Sequence, residues 1–202
     1  MADLPTPKRR KRSAAQARDE GLIAARALLL DGGPAAVTLA NVGKAIGMSH
    51  TNVIHHFGSA AGLQTALMES MIRDLADALG DAVSQLHTDA AAPSMLVERV
   101  FHAFGEGGAG QLAAWLVLAR EYEHLEVIRQ AVLDLVDAVK ARAPELPDQD
   151  SRIPGIVLLI AICAFGDAVI GPHLRQMLGQ DGDAAKRLVA QILPLLIVTP
   201  SD

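Results

Sequence analysis

The chain has 202 residues, half of them apolar and few aromatic, and it carries a net charge of −5 with a single cysteine, Cys163. Such a composition suits a core of helices packed on one another. It excludes an intrachain disulfide framework and a cysteine-based zinc site, and it points to a reducing cytoplasm. The charge is unevenly spread: residues 1–62 hold eight Lys and Arg against four Asp and Glu, and the remainder holds ten against nineteen. A basic head on an acidic body suits a protein of which one end meets phosphates. No apolar stretch precedes the helical region, so a secretory signal is not expected.

Residues 1–12 end in a run of prolines, lysines and arginines from which a disordered basic arm is expected. From Ala14 the pattern turns helical, with Leu22, Ala25 and Leu29 at spacings of three and four, until Asp31-Gly32-Gly33-Pro34 stops it. Thr38 offers an N-cap oxygen to a short helix with Leu39, Val42 and Ile46 on one face. Gly47 ends that helix. Ser49 caps a third short helix, over about 50–56, with Val53 and Phe57 facing inward. Three helices in under sixty residues, the last two joined across Gly47, outline a helix-turn-helix.

Leu63, Leu67, Met71, Leu75 and Leu79 then repeat every four positions and predict a long helix that leaves the module without a linker. Further helices are expected over about 94–105, 109–121, 124–143, 152–178 and 183–198, with no strand-like alternation anywhere. The run Ile156 to Gly171 is apolar except for Asp167. The charge and the flanking prolines argue against a membrane span. Burial on all sides explains the run better, and with Leu188, Ile192, Leu195 and Leu196 of the last helix it predicts a four-helix homodimer seam formed by 152–178 and 183–198.

The stretch Val37-Thr38-Leu39 through Phe57 resembles the DNA-binding motif of the tetracycline-repressor (TetR) family. Thr38, Val42, Ala45, Gly47, Ser49, His56 and Phe57 fall where that family places comparable residues; Arg18 and Ala24-Ala25 match upstream, and Leu63 downstream. The resemblance covers roughly residues 13–70. It implies an all-α fold in which a three-helix DNA-binding domain, 13–62, precedes a helical-bundle effector-binding and dimerisation domain, 63–202. Three positions depart from the family. Ile54 stands where Tyr is common, Ala60 where Lys is common, and Gly21 where a branched aliphatic is usual. The first two resemble phosphate-contacting positions, for which the arm Lys8, Arg9, Arg10, Lys11 and Arg12 is expected to compensate by phosphate or minor-groove contacts.

A helix entering the major groove reads bases with its N-terminal side chains. His50, Thr51, Asn52, His55 and His56 are therefore the candidates for the DNA face, with Asn52 suited to an adenine edge and Thr51 to a thymine methyl or a phosphate. Thr38 and Ser49 both cap helices, and the amides after Thr38 suit a backbone phosphate. The resulting expectation is a regulator, repressing more often than not in this family, that leaves a near-palindromic operator when a small molecule binds. It would be cytoplasmic, and nucleoid-associated when on DNA.

In the second region Phe101, Phe104, Trp115, Tyr122 and Phe165 hold most of the aromatic surface, and with His102, Glu121 and His124 as polar fixtures they are the candidate effector-pocket residues. Glu98, His102, Glu121 and His124 also support a rival reading as a helical-bundle metalloenzyme, although the Glu-x-x-His spacing lacks the second copy that a di-iron site needs. No metal and no cofactor are expected. No nucleophile-base pair or phosphate loop stands out, so an enzyme is not expected. A third reading is an architectural DNA-binding protein that responds to no ligand.

Overall fold

The computed structural model describes residues 13–85, 88–119, 125–142 and 149–198. Among them the regular structure is helical: α1 (Ala14–Gly32), a 3-10 turn (Pro34–Ala36), α2 (Leu39–Ile46), α3 (His50–Phe57), α4 (Ala60–Ser84), α5 (Ala92–Phe104), α6 (Ala109–Ala119), α7 (Leu125–Arg142), α8 (Gln149–Val169), α9 (Gly171–Leu178) and α10 (Ala184–Val198).

The first four helices start where side-chain caps place them. Ser13 Oγ accepts from Gln16 N while the Gln16 side chain accepts from Ser13 N, a closed capping box. Thr38, Ser49 and Ser59 each accept a backbone N–H three residues on, at 3.1, 3.4 and 3.0 Å. Gly47, at φ 64° and ψ 36°, closes α2 in the left-handed region that a side chain would strain.

The apolar residues bury in two clusters. One gathers Ala25, Leu29, Val37, Leu39, Val42, Val53 and Phe57 with Leu63, Leu67, Met68 and Met71 of α4 and Leu112 and Leu116 of α6. The other gathers Leu79, Ala82 and Val83 of α4 with faces of α5, α7, α8 and α10, around Val97, Ile153, Ala164 and Leu193. Helix α4 serves both, and Ile72 packs against each. Gln64 Nε2 donates to Val37 O at 3.2 Å and Arg26 pairs with Asp74 at 2.6 Å, so α4 is also tied by polar contacts to α1 and to the start of α2.

One sequence expectation changes here. The single helix over 152–178 is two, because Pro172 has no N–H to continue the ladder and the chain restarts at Gly171. Asp167 pairs with Arg175 across this bend, both side chains mostly buried. Gly171 leaves the space: a Cβ there would lie 2.6 Å from Asp167 Oδ1. Within one chain α8 is not buried on every side, and the sequence expectation assigns the remaining burial to a partner subunit. Residues 152–169 are long and apolar enough to cross a membrane, with a mean hydropathy of 1.9, and only 17% of them are buried. Leu158, Leu159 and Ile162 lie exposed on α8, and Leu188, Ile192 and Leu195 on α10.

Between α9 and α10 a polar knot fixes the last helix. Asp181 accepts from Arg187 at 2.8 and 2.7 Å and from Asp183 N at 2.9 Å. Arg187 first and the Asp183 amide second lower its carboxyl from 3.8 to about 2. A carboxyl depressed in the folded state contributes stability that is present above its unfolded value and lost as pH falls toward about 2. In a carboxyl-detected NMR titration Asp181 should titrate near 2 and move up toward 3.8 in Arg187→Ala; an unmoved midpoint would show that Arg187 does not set it.

Candidate nucleic-acid interface and effector cavity

Helix α3 lies across the small-residue stripe of α1. Ala17, Gly21, Ala25 and Leu29 recur every four positions and are buried, and Val53 and Phe57 are the buried residues of α3. The Phe57 ring sits where a side chain at Gly21 would be: a Cβ there would lie 2.8 Å from Phe57 Cε2. The glycine at this departure from the family pattern is therefore a packing requirement of this chain. Arg18 holds the same end. Its guanidinium donates to His56 O at 2.9 Å, at the open C-terminal end of α3, and stands 5.2 Å from the centre of the Phe57 ring. Sequence reasoning matched Arg18 to the family pattern without giving it a role; its distance upstream was the only signal.

With Val53 and Phe57 turned inward, His50, Thr51, Asn52, Ile54 and His55 are exposed together on the other side of α3. His56 is half-buried, its ring inclined at 63° to that of Phe57 with the centres 6.4 Å apart. Thr38 and Ser49 are engaged as caps at the starts of α2 and α3. Gly43 lets the turn fold tightly under α3: a Cβ there would meet Met48 O at 2.8 Å. Lys44 adds an exposed cation on α2 that the sequence reading did not single out. Lys8, Arg9, Arg10, Lys11 and Arg12 lie outside the described residues.

The second feature is a cavity of about 300 Å³ under α4, walled also by α5, α6, α7, α8 and α10. Its lining is aliphatic side chains, two methionines and one aromatic ring, Phe104. Voids larger than a water are few in close-packed interiors, so a space of this size is a binding-site candidate. Met68 and Met71 line it and also belong to the cluster beneath α3; Leu79 and Val83 line it and belong to the other cluster.

Of the effector candidates from sequence, Phe104 lines this cavity and the other described ones do not. Phe101 is buried in the adjoining cluster. His102 has a side chain 63% exposed and pairs with Glu106 at 3.0 Å. Trp115 is 42% exposed on α6, and Phe165 is half-buried outside the lining. Glu121, Tyr122 and His124 lie outside the described residues. The cavity walls were not singled out because they are ordinary core residues by type; only the packing of six helices leaves space between them. Of the residues in the metal reading, Glu98 pairs with Lys186 at 2.8 Å and His102 with Glu106 at 3.0 Å, while Glu121 and His124 lie outside the described residues.

Residues 22–67, which span most of α1 through the first third of α4, match the family of bacterial regulatory proteins called the tetR family. None of the curated proteins matches the chain. Among solved structures, it superposes on a regulator assigned to the TetR family from Mesorhizobium loti, at 13% identity and TM-score 0.64, over 93% of this chain and 96% of that one. The fatty acid degradation regulator FadR from Bacillus halodurans aligns at 13% and 0.63, over 92% and 97%. The multidrug binding protein EbrR complexed with ethidium aligns at 14% and 0.65, over 90% and 98%. Residues 22–67 thus carry the similarity to the tetR family of bacterial regulatory proteins, and the fold of the chain is the one that these solved regulators share.

Proposed function

We propose that the protein is a transcriptional repressor that binds a near-palindromic operator as a two-fold dimer and leaves it when a small molecule enters the cavity. The observation that carries this reading is the exposed polar face of α3, His50 to His55, held rigid over α1 by Val53, Phe57 and Arg18. Each protomer places α3 in one of two successive major grooves, about 34 to 36 Å apart. Asn52 and Thr51 read base edges, with His50, His55 and the edge of His56 beside them. Thr38, Ser49 and the arm Lys8–Arg12 contact phosphates.

The dimer forms through α8, with the following α9, and α10. Gly155, Leu159, Ile162, Gly166 and Val169 follow one another at spacings of four and three, as do Leu188, Ile192 and Leu195. A Cβ on Gly155 or Gly166 would meet open space, which supports the close approach of a partner helix. The ligand acts through α4, whose residues wall the cavity and support the DNA-reading head. It must bind the two states of the head with different affinity, typically by about 1 to 3 kcal/mol. The names under which EbrR and FadR were solved, a multidrug binding protein and a regulator, support a fold that accommodates both tasks.

The test is fluorescence anisotropy of the purified protein on the intergenic DNA beside its own gene, against scrambled DNA of equal length, at two salt concentrations. Specific binding by two protomers per site supports the reading; weak, sequence-blind binding with a steep salt slope supports the architectural alternative. Asn52→Ala should cost about 1 to 3 kcal/mol of specific affinity and leave the salt slope unchanged. An equal loss on specific and scrambled DNA would remove Asn52 from base reading.

A further inference from the structure

We propose that the cavity takes an uncharged, apolar molecule of about ten to fourteen non-hydrogen atoms and excludes ionised ones, an inference that rests on the ligand-responsive reading above. The size follows from the volume: a cavity of about 150 Å³ holds a benzene ring, and this one is about 300 Å³. The chemistry follows from the walls. Leu75, Leu96, Val100, Leu135, Ile156 and Ile160 represent a lining that contains no titratable side chain among the described residues.

Several ionised groups on the helices that form those walls are engaged with one another. On α4, Glu69 pairs with Arg73; on α5, Glu98 pairs with Lys186 of α10 and His102 with Glu106. A carboxylate or ammonium carried inside would lose its hydration and meet no opposite charge among the described lining residues, the most heavily penalised form of burial. A cation such as the ethidium bound by EbrR finds no carboxylate among the described residues of this lining. Val117 of α6 and Val132 of α7 belong to the lining yet are exposed, so the cavity reaches the surface beside these two apolar side chains. Met68 and Met71 are unbranched and polarizable, which lets the inner wall adapt to ligands of differing outline.

Isothermal titration calorimetry on the full chain decides the matter with two neutral probes, naphthalene and butylbenzene, and two charged ones, naphthoate and phenylbutylammonium. The neutral pair should bind, the charged pair should bind at least about a hundredfold more weakly, and Ala113→Phe, which fills the cavity from α6, should abolish neutral binding. If that variant does not fold, Ala161→Leu fills the space from α8 instead. Charged probes binding as tightly as neutral ones, no probe binding, or undiminished binding to the filled variant would each overturn the proposal. Operator affinity is read separately. Neutral binding that leaves operator affinity unchanged upholds the ligand class and sinks the ligand-responsive reading; charge-blind binding that releases the operator does the reverse.

Discussion

Ile162→Arg is expected to leave a monomer whose operator affinity is at least about a hundredfold below that of the parent protein, since tethering two reading heads multiplies affinity by about a hundred to ten thousand. Ile162 is 59% exposed in the single chain, at the centre of the α8 stripe, with Leu158 and Leu159 one turn away. Burying such a side chain contributes about 1.5 to 3 kcal/mol, and two-fold symmetry repeats every loss on the partner. The arginine adds a penalty of its own, because α8 offers Asp167 as its acidic group near this stripe and Asp167 is committed to Arg175. The fold of the protomer should survive, since the substituted side chain points away from the core. Sedimentation velocity in detergent-free buffer, with anisotropy on the same samples, reads both effects. A dimer that persists with full operator affinity would place the seam elsewhere, and a parent protein that needs detergent to stay dispersed would reopen the question of what covers α8.

Gly21→Val, which introduces the residue type usual at this position in the tetR family, is expected to damage this protein. Glycine in a helix interior costs about 1 kcal/mol relative to alanine, so removing it ought to help. Against that gain stands the Phe57 ring, 2.8 and 2.9 Å from where the Cβ would lie and backed by Arg18 on α1. Overpacking a filled site costs about 1 to 3 kcal/mol, and a branched side chain brings two further carbons into the same space. Gly21→Ala already places a Cβ against the Phe57 ring and should be destabilising too, but less than Gly21→Val, its helix gain offsetting part of the cost. Gly21→Val should lose about 2 to 3 kcal/mol in urea denaturation and displace the C-terminal end of α3, with operator affinity falling at least about tenfold. Gly21→Val with Phe57→Leu should recover much of the loss, and a double variant no better than the single one would show that Phe57 is not the obstacle.

The three-helix head was legible in the sequence because its determinants are local. Ser49 and Thr38 start helices through bonds three residues long, Gly47 closes one by its own torsion angles, and Val53 and Phe57 reveal the buried side of α3 by spacing. The cavity was not legible. Aromatic residues attract notice by size and polar ones by chemistry, but Trp115 and His102 turn outward. The lining is made of leucines and valines that no pattern separates from those that simply pack. The break at Gly171-Pro172 was marked in the sequence and outweighed there by the continuity of the apolar run. What it accommodates, the Asp167–Arg175 pair, depends on a fold-back that periodicity does not encode.

That α4 contributes to both buried clusters bears on how the molecule comes apart. A cut between residues 62 and 63 would sever Leu63, Ala66, Leu67, Met68 and Met71 from the helices they support, and would strip away Leu112 and Leu116 of α6 as well. The amino-terminal piece would keep its caps and its turn and lose half of the surface against which its helices condense. The two ends of the chain are therefore poor candidates for independent folding units: melting of one withdraws support from the other, and their denaturation belongs to a common transition.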